Sequence, residues 1–239
     1  MPDYLLLRTD LLVLGLAVTL YVVDCGRLIS TRELLLAGTA GGGWRAITPD
    51  RGFLFNRRHA VFPGLFDPGT ALLRLAWPAT AGDNDQTRTA VQDLVARLAL
   101  PRRLCRVLFL LLFVGLPVAF YVPKDRLALA VLFLTVYASV LVLAIWLFVR
   151  RRALGLKLGT TALLAFEILV CLPYAPNLHR KLFEKAWQAR ERDPLTAGAA
   201  LLSAPAQDTL TQYLKTASDR LTTDAPGLEA WQQRLEQRS

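Results

Sequence analysis

Residues 127–149 read LALAVLFLTVYASVLVLAIWLFV and decide the class of this protein. The stretch holds no charged side chain, and Arg150, Arg151 and Arg152 follow it directly. A helix needs about 20 apolar residues to cross the roughly 30 Å hydrocarbon layer of a bilayer. Because lipid offers backbone amides no hydrogen-bond partner, a helix is the conformation expected there. The stretch therefore predicts a membrane-spanning helix.

Three further apolar blocks extend this prediction to four spans, at residues 4–23, 104–122 and 158–174. The whole chain of 239 residues is 54% hydrophobic and 20% charged, whereas soluble domains average about 45–50% and 25%. This composition excludes an ordinary soluble enzyme, a disordered chain and a disulfide-rich scaffold. The first block lacks the basic start and the small-residue cleavage site of a signal peptide, so we expect it to be retained.

The predicted fold class is an integral membrane protein, mainly α. Its expected parts are an N-terminal transmembrane helix (1–23), a β-rich extramembrane module with an amphipathic helix (24–103), a three-helix transmembrane bundle (104–174) and an amphipathic helical tail (175–239). The positions of lysine and arginine favour a cytoplasmic module and two extra-cytoplasmic termini. The basic residues of the tail oppose that orientation. Because arginine far outnumbers lysine, as in GC-rich genomes, we expect a bacterial inner membrane.

The net charge of +9 is concentrated at the predicted membrane edges, which favours contact with anionic head groups over nucleic-acid binding. The arginines expected to meet these head groups are Arg102, Arg103, Arg150, Arg151 and Arg152.

The first connection contains short strand patterns separated by turn residues. They predict one sheet of three to five strands from residues 33–39, 44–48, 53–55, 60–62 and 71–77, with residues 56–59 as a hairpin loop. Apolar residues at helical spacing predict a helix over 83–99. In the tail, similar stripes predict short helices that begin near residues 177, 210 and 226.

Both extramembrane parts carry more apolar surface than they can easily bury alone, so we expect them to dock on other membrane or envelope proteins. The residues expected to make these contacts are Trp44, Phe53, Phe55, Arg57, Arg58, Phe183, Trp187, Tyr213, Leu214 and Trp231.

Two acidic residues interrupt the apolar blocks, Asp10 in the first and Glu167 in the fourth. Carboxylates inside a membrane are costly and usually meet a partner, a cavity or a proton path. We expect Glu167 to hold helices together, with Thr135, Thr160 or Thr161 as partners. The alternative is a small proton- or ion-coupled carrier or channel that uses Glu167.

No catalytic motif emerges from the chain. Neither histidine has a second ligand at metal-binding spacing, and the three cysteines form no C-x-x-C pair. The sequence therefore predicts no cofactor and no metal. It favours a non-catalytic accessory or scaffold subunit of a cell-envelope membrane complex.

Overall fold

A computed structural model describes residues 2–39, 42–76, 84–121, 126–188, 194–219 and 233. The chain is mainly helical and has a small β module between its first two long apolar segments, as the sequence predicts. The helices are α1 (Pro2–Cys25), α2 (Asn84–Arg97), α3 (Ala99–Leu110), α4 (Leu116–Tyr121), α5 (Arg126–Arg150), α6 (Leu158–Val170), α7 (Leu178–Gln188), α8 (Pro194–Leu201) and α9 (Ala204–Asp219). The strands are β1 (Arg27–Ile29), β2 (Glu33–Gly38), β3 (Trp44–Ile47), β4 (Phe53–Phe55), β5 (Arg58–Val61) and β6 (Leu72–Ala76).

Two continuous helical segments are long and apolar enough to cross a membrane, residues Ala99–Phe120 and Leu127–Arg150. Only 17% and 22% of their apolar windows are buried, so most of their surface is bare hydrocarbon. The core helix of a soluble protein would have this surface covered. These two segments match the second and third predicted spans.

The first and fourth predicted spans are not confirmed. Helix α6 has 13 residues, which at 1.5 Å per residue extend about 20 Å, short of a full hydrocarbon layer. It stops at Val170 because Pro173 and Pro176 lack the N–H that a continuing helix needs, and a 3-10 turn follows over Leu172–Asn177. Helix α1 covers the first block, but the side chains of residues 1–10 lie outside the described part.

A π-helical turn at Leu111–Gly115 joins α3 to α4 without breaking the segment. The N–H of Leu116 donates to the carbonyl of Leu111 across this turn. Pro117 follows one residue later and cannot donate, so the wider turn accommodates a proline inside an apolar helix. Gly115 lies at the contact with α5, where a Cβ would meet Leu132 at 3.5 Å.

The β module holds two antiparallel three-stranded sheets rather than the one predicted sheet. Their strand orders are β1-β5-β4 and β3-β2-β6. Strand β1, which no pattern in the sequence predicts, pairs with β5 through Arg27↔Val61 and Ile29↔His59. The β4–β5 loop contains two residues rather than four, because Asn56 and Arg57 both adopt positive φ (46° and 62°), as a tight type I′ turn requires.

The chain forms two compact units. The helical unit comprises Met1–Cys25, Leu65–Gly69 and Leu98–Leu182, and the mixed unit comprises Gly26–Gly64, Thr70–Arg97 and Phe183–Ser239. The mixed unit therefore includes both the β module and most of the tail, which the sequence analysis had set apart. Within it α2 packs on α8, and the Trp44 ring lies 6.4 Å from that of Phe183.

Candidate functional site

A cluster of charged side chains lies in the helical unit where α1 and α6 end. The ammonium of Lys181 lies between two carboxylates, 2.6 Å from Asp24 and in a short hydrogen bond with Glu167. Lys181 and Asp24 retain only 12% and 10% of their side-chain exposure, and Glu167 retains 29%. We call Asp24, Lys181 and Glu167 the carboxylate–lysine triad.

A second layer of the cluster surrounds the buried Asn177. Its amide nitrogen donates to the Asp24 carboxylate at 3.0 Å, and its amide oxygen accepts from the Cys25 thiol at 3.3 Å. The guanidinium of Arg180, fully buried, donates to the Cys25 sulfur at 3.1 Å and to the backbone carbonyl of Asp67 at 2.8 Å. Every one of these bonds joins segments more than 100 residues apart, so the cluster links distant segments of the helical unit.

A bidentate ion pair between Arg106 and Asp67 extends the cluster towards α3. Arg106 donates from Nε and Nη2 to the two carboxylate oxygens at 3.0 and 3.1 Å. Burial raises the pKa of Asp67, but the hydrogen bonds from Arg106 and from the Gly69 amide outweigh it and hold that pKa below its usual value. A Cβ at Gly69 would come within 2.6 Å of Arg106 Nε, so a larger residue there would displace the Arg106 side chain.

Local sequence explains how these side chains come to face α1. The 3-10 turn imposed by Pro173 and Pro176 ends at Asn177, and α7 begins with the next residue. Asn177 and Lys181 are four residues apart, so they share one face of the helical turn. Both meet Asp24, which lies in the last turn of α1.

Direct ion pairs hold the three carboxylates of this cluster, which favours a structural role. Lys181 pairs with the carboxylates of Asp24 and Glu167, and Arg106 pairs with that of Asp67. Paired charges with satisfied hydrogen bonds hold elements together, whereas a lone buried charge is costly. Among the described residues, no group of three histidine, cysteine, aspartate or glutamate side chains could hold a metal ion.

The triad bears directly on chain topology. Four complete crossings in sequence would leave the ends of the first and fourth spans on opposite faces of a membrane. Lys181 instead binds both Asp24 and Glu167, so the ends of α1 and α6 lie at the same end of the helical unit. Glu167 pairs with Lys181 rather than with the threonines expected from the sequence.

Three residues expected to contact a partner are interior residues of the mixed unit. Phe183 and Leu214 are fully buried, and Trp187 retains 1% of its surface. Their helical spacing indicates only that one face is covered, and the covering surface is the chain's own. The chain's own surfaces therefore cover these three side chains, and their contact with a partner stays a prediction.

The other expected partner contacts are accessible or lie elsewhere. Phe53, Phe55, Arg57 and Arg58 are exposed on the β4–β5 hairpin. Trp44 and Tyr213 are half-buried. Tyr213 lines a cavity of about 510 Å³ together with His59, Asp50 and Thr209. Trp231 and the side chain of Asp10 lie outside the described part of the chain.

The arginines expected at lipid head groups are largely accessible. Arg103, Arg150 and Arg152 are exposed, and Arg102 and Arg151 are half-buried. Arg150 ends α5, and the turn after it leads back into α6.

Sequence reasoning identified Glu167 but missed Asp24, Asn177, Arg180 and Lys181. The available signal was a polar pattern at i, i+3 and i+4 from Asn177 in a stretch otherwise taken as an amphipathic tail helix. Comparison with known protein families, characterised proteins and solved structures found no match to this chain.

Proposed function

We propose that this protein is a non-catalytic membrane-anchored subunit that carries the mixed unit as a binding platform for other membrane or envelope proteins. The observation that carries the proposal is the bare hydrocarbon surface of α3–α4 and α5, of which less than a quarter is buried. Contact of such a surface with lipid costs no free energy, whereas its contact with water is unfavourable. The absence of catalytic motifs from the sequence favours an accessory or scaffold role.

We further propose an orientation with three crossings, made by α1, by α3–α4 and by α5. In this orientation α6 begins and ends on the cytoplasmic side and does not cross the membrane. The module and the tail, which belong to one compact unit, then share the cytoplasmic face. Lys181, Lys185 and the three arginines at 150–152 then all lie on the cytoplasmic side, as positive charges prefer. This removes the conflict that the basic tail created for two extra-cytoplasmic termini.

Reporter fusions test the orientation in a bacterial host. Green fluorescent protein fused after Ser239 should fluoresce, and alkaline phosphatase fused there should be inactive, because the phosphatase needs an oxidising compartment. The same pair fused within residues 122–125, between α4 and α5, serves as the matched control and should give the reverse result. An active phosphatase at Ser239 would contradict the three-crossing orientation.

Copurification tests the proposed role. A tagged full chain is extracted from its native membrane in mild detergent, and bound proteins are identified by mass spectrometry. The proposal expects a stoichiometric partner that survives washing and is lost when exposed residues of the mixed unit are changed. A monodisperse protein that emerges alone would refute the subunit role.

The carboxylate–lysine triad supports a second candidate, a proton- or ion-coupled carrier, because it places two acids and a base within one apolar helical unit. Transport would require the Glu167 carboxylate, so Glu167→Gln should abolish flux in proteoliposomes while the amount of folded protein stays unchanged. Parallel loss of abundance and flux would instead assign Glu167 to structure.

A further inference from the structure

The β4–β5 hairpin leaves three consecutive apolar side chains bare. Phe53, Leu54 and Phe55 retain 76%, 72% and 64% of their surface. Neighbouring residues of a strand point to opposite faces, so a strand that docks on one partner surface hides alternate residues. Here both faces are apolar and both are open, which suits a tip surrounded by an apolar medium better than a flat docking surface.

The base of the same hairpin is firmly held. Val61, at the end of β5, is packed with Ile29 and Leu35 in a buried apolar cluster. The base of the hairpin is therefore packed, whereas its tip is bare. Because β4 is the outer strand in the order β1-β5-β4, its free backbone edge needs water and limits the tip to a shallow depth.

Charge within the hairpin itself is of one sign. Arg57 and Arg58 are exposed, and residues 53–62 contain no acidic side chain. Arg57 occupies the second turn position at φ 62°, where glycine is the residue of lowest strain. Aromatic rings bordered by arginine match the boundary between acyl chains and anionic head groups.

We propose that the β4–β5 tip, residues 53–58, inserts into the interface of an anionic bilayer, with the three apolar side chains at the acyl boundary and the two arginines on lipid phosphates. This inference rests on the membrane location proposed above. It replaces the expectation that Phe53, Phe55, Arg57 and Arg58 contact another protein.

Depth-dependent fluorescence tests this inference on the full chain. Leu54→Cys in a Cys171→Ser background is labelled with an environment-sensitive dye, since Cys25 and Cys105 are buried. Asp208→Cys, at an exposed position of α9, is the matched control. Both proteins are reconstituted in nanodiscs of phosphatidylcholine alone and of an equal mixture with phosphatidylglycerol, each with and without lipid carrying a quencher at the acyl boundary.

We expect the dye at position 54 to be quenched and its emission to shift to shorter wavelength, and the dye at position 208 to show neither change. The two changes at position 54 should be stronger with phosphatidylglycerol. Arg57→Gln and Arg58→Gln should each lower the ratio of inserted to exposed label about fivefold in the anionic discs. If the chain enters nanodiscs and position 54 behaves like position 208, the insertion is refuted while the anchoring stands. If the chain does not enter nanodiscs, both the insertion and the membrane anchoring are refuted. If the dye at position 54 is shielded from water only when another protein is added, insertion is refuted and protein docking is favoured.

Discussion

Lys181→Met removes the cation of the carboxylate–lysine triad while nearly preserving side-chain volume. Asp24 and Glu167 would then face each other without the ammonium that now binds both. Removing one partner of a buried ion pair costs about 3–5 kcal/mol. Asn177 still donates to Asp24 at 3.0 Å, and Glu167 is partly exposed, so we expect the low end, about 3 kcal/mol of unfolding free energy.

The measurement is denaturant or thermal unfolding of the full chain in mild detergent, followed by tryptophan fluorescence. Lys185→Met is the matched control, because Lys185 lies on the same helix and is exposed; it should change stability by less than about 0.5 kcal/mol. Combining Lys181→Met with Asp24→Asn and Glu167→Gln removes all three charges and should restore most of the loss. Equal effects of the two lysine substitutions would refute the reasoning.

Three other predictions concern pH, the hairpin turn and the mixed-unit core. The pKa of Asp67 is lower in the folded state than its usual 3.8. Its ion pair with Arg106 therefore stabilises the fold above pH 3.8 and is lost as the pH falls below that value. In acid unfolding curves the wild type should lose stability more steeply in this range than Asp67→Asn. Arg57→Gly relieves a positive φ and should raise the free energy of unfolding by about 1 kcal/mol, and a decrease would contradict the assigned turn. Phe183→Ala should cost about 3–5 kcal/mol in the same assay, whereas the exposed Phe53→Ala should be near neutral; similar values for the two would show that Phe183 is not a core residue.

Much of the local structure could be predicted from the sequence. Strands β2, β3, β4 and β6 and helices α2 and α5 lie close to their expected ranges, because alternation and helical periodicity are properties of neighbouring residues. Strand β1 was missed because three residues directly after a long helix are too few to show a period. Pro173 indicates that α6 ends early, but the length of the apolar block 158–174 favoured a longer helix.

The candidate site was predictable in part. A carboxylate among apolar residues identified Glu167 as a residue that needs a partner, but which partner it finds depends on how distant segments pack. Lys181 and Asp24 lie 157 residues apart in the chain, and no local pattern links them. The same limit explains Phe183 and Trp187, whose apolar stripe predicts a covered face without identifying what covers it.

The sequence by itself determined the length and apolarity of the long helices and the positions of most strands, since these depend on composition and local spacing. Only the tertiary structure decided that Lys181 joins the ends of α1 and α6, that the tail belongs with the β module, and that Phe53, Leu54 and Phe55 stay bare while Phe183 is buried. The physical reason is that burial and ion pairing are relations between surfaces brought together by the whole chain, and a residue's own neighbours in sequence do not specify them.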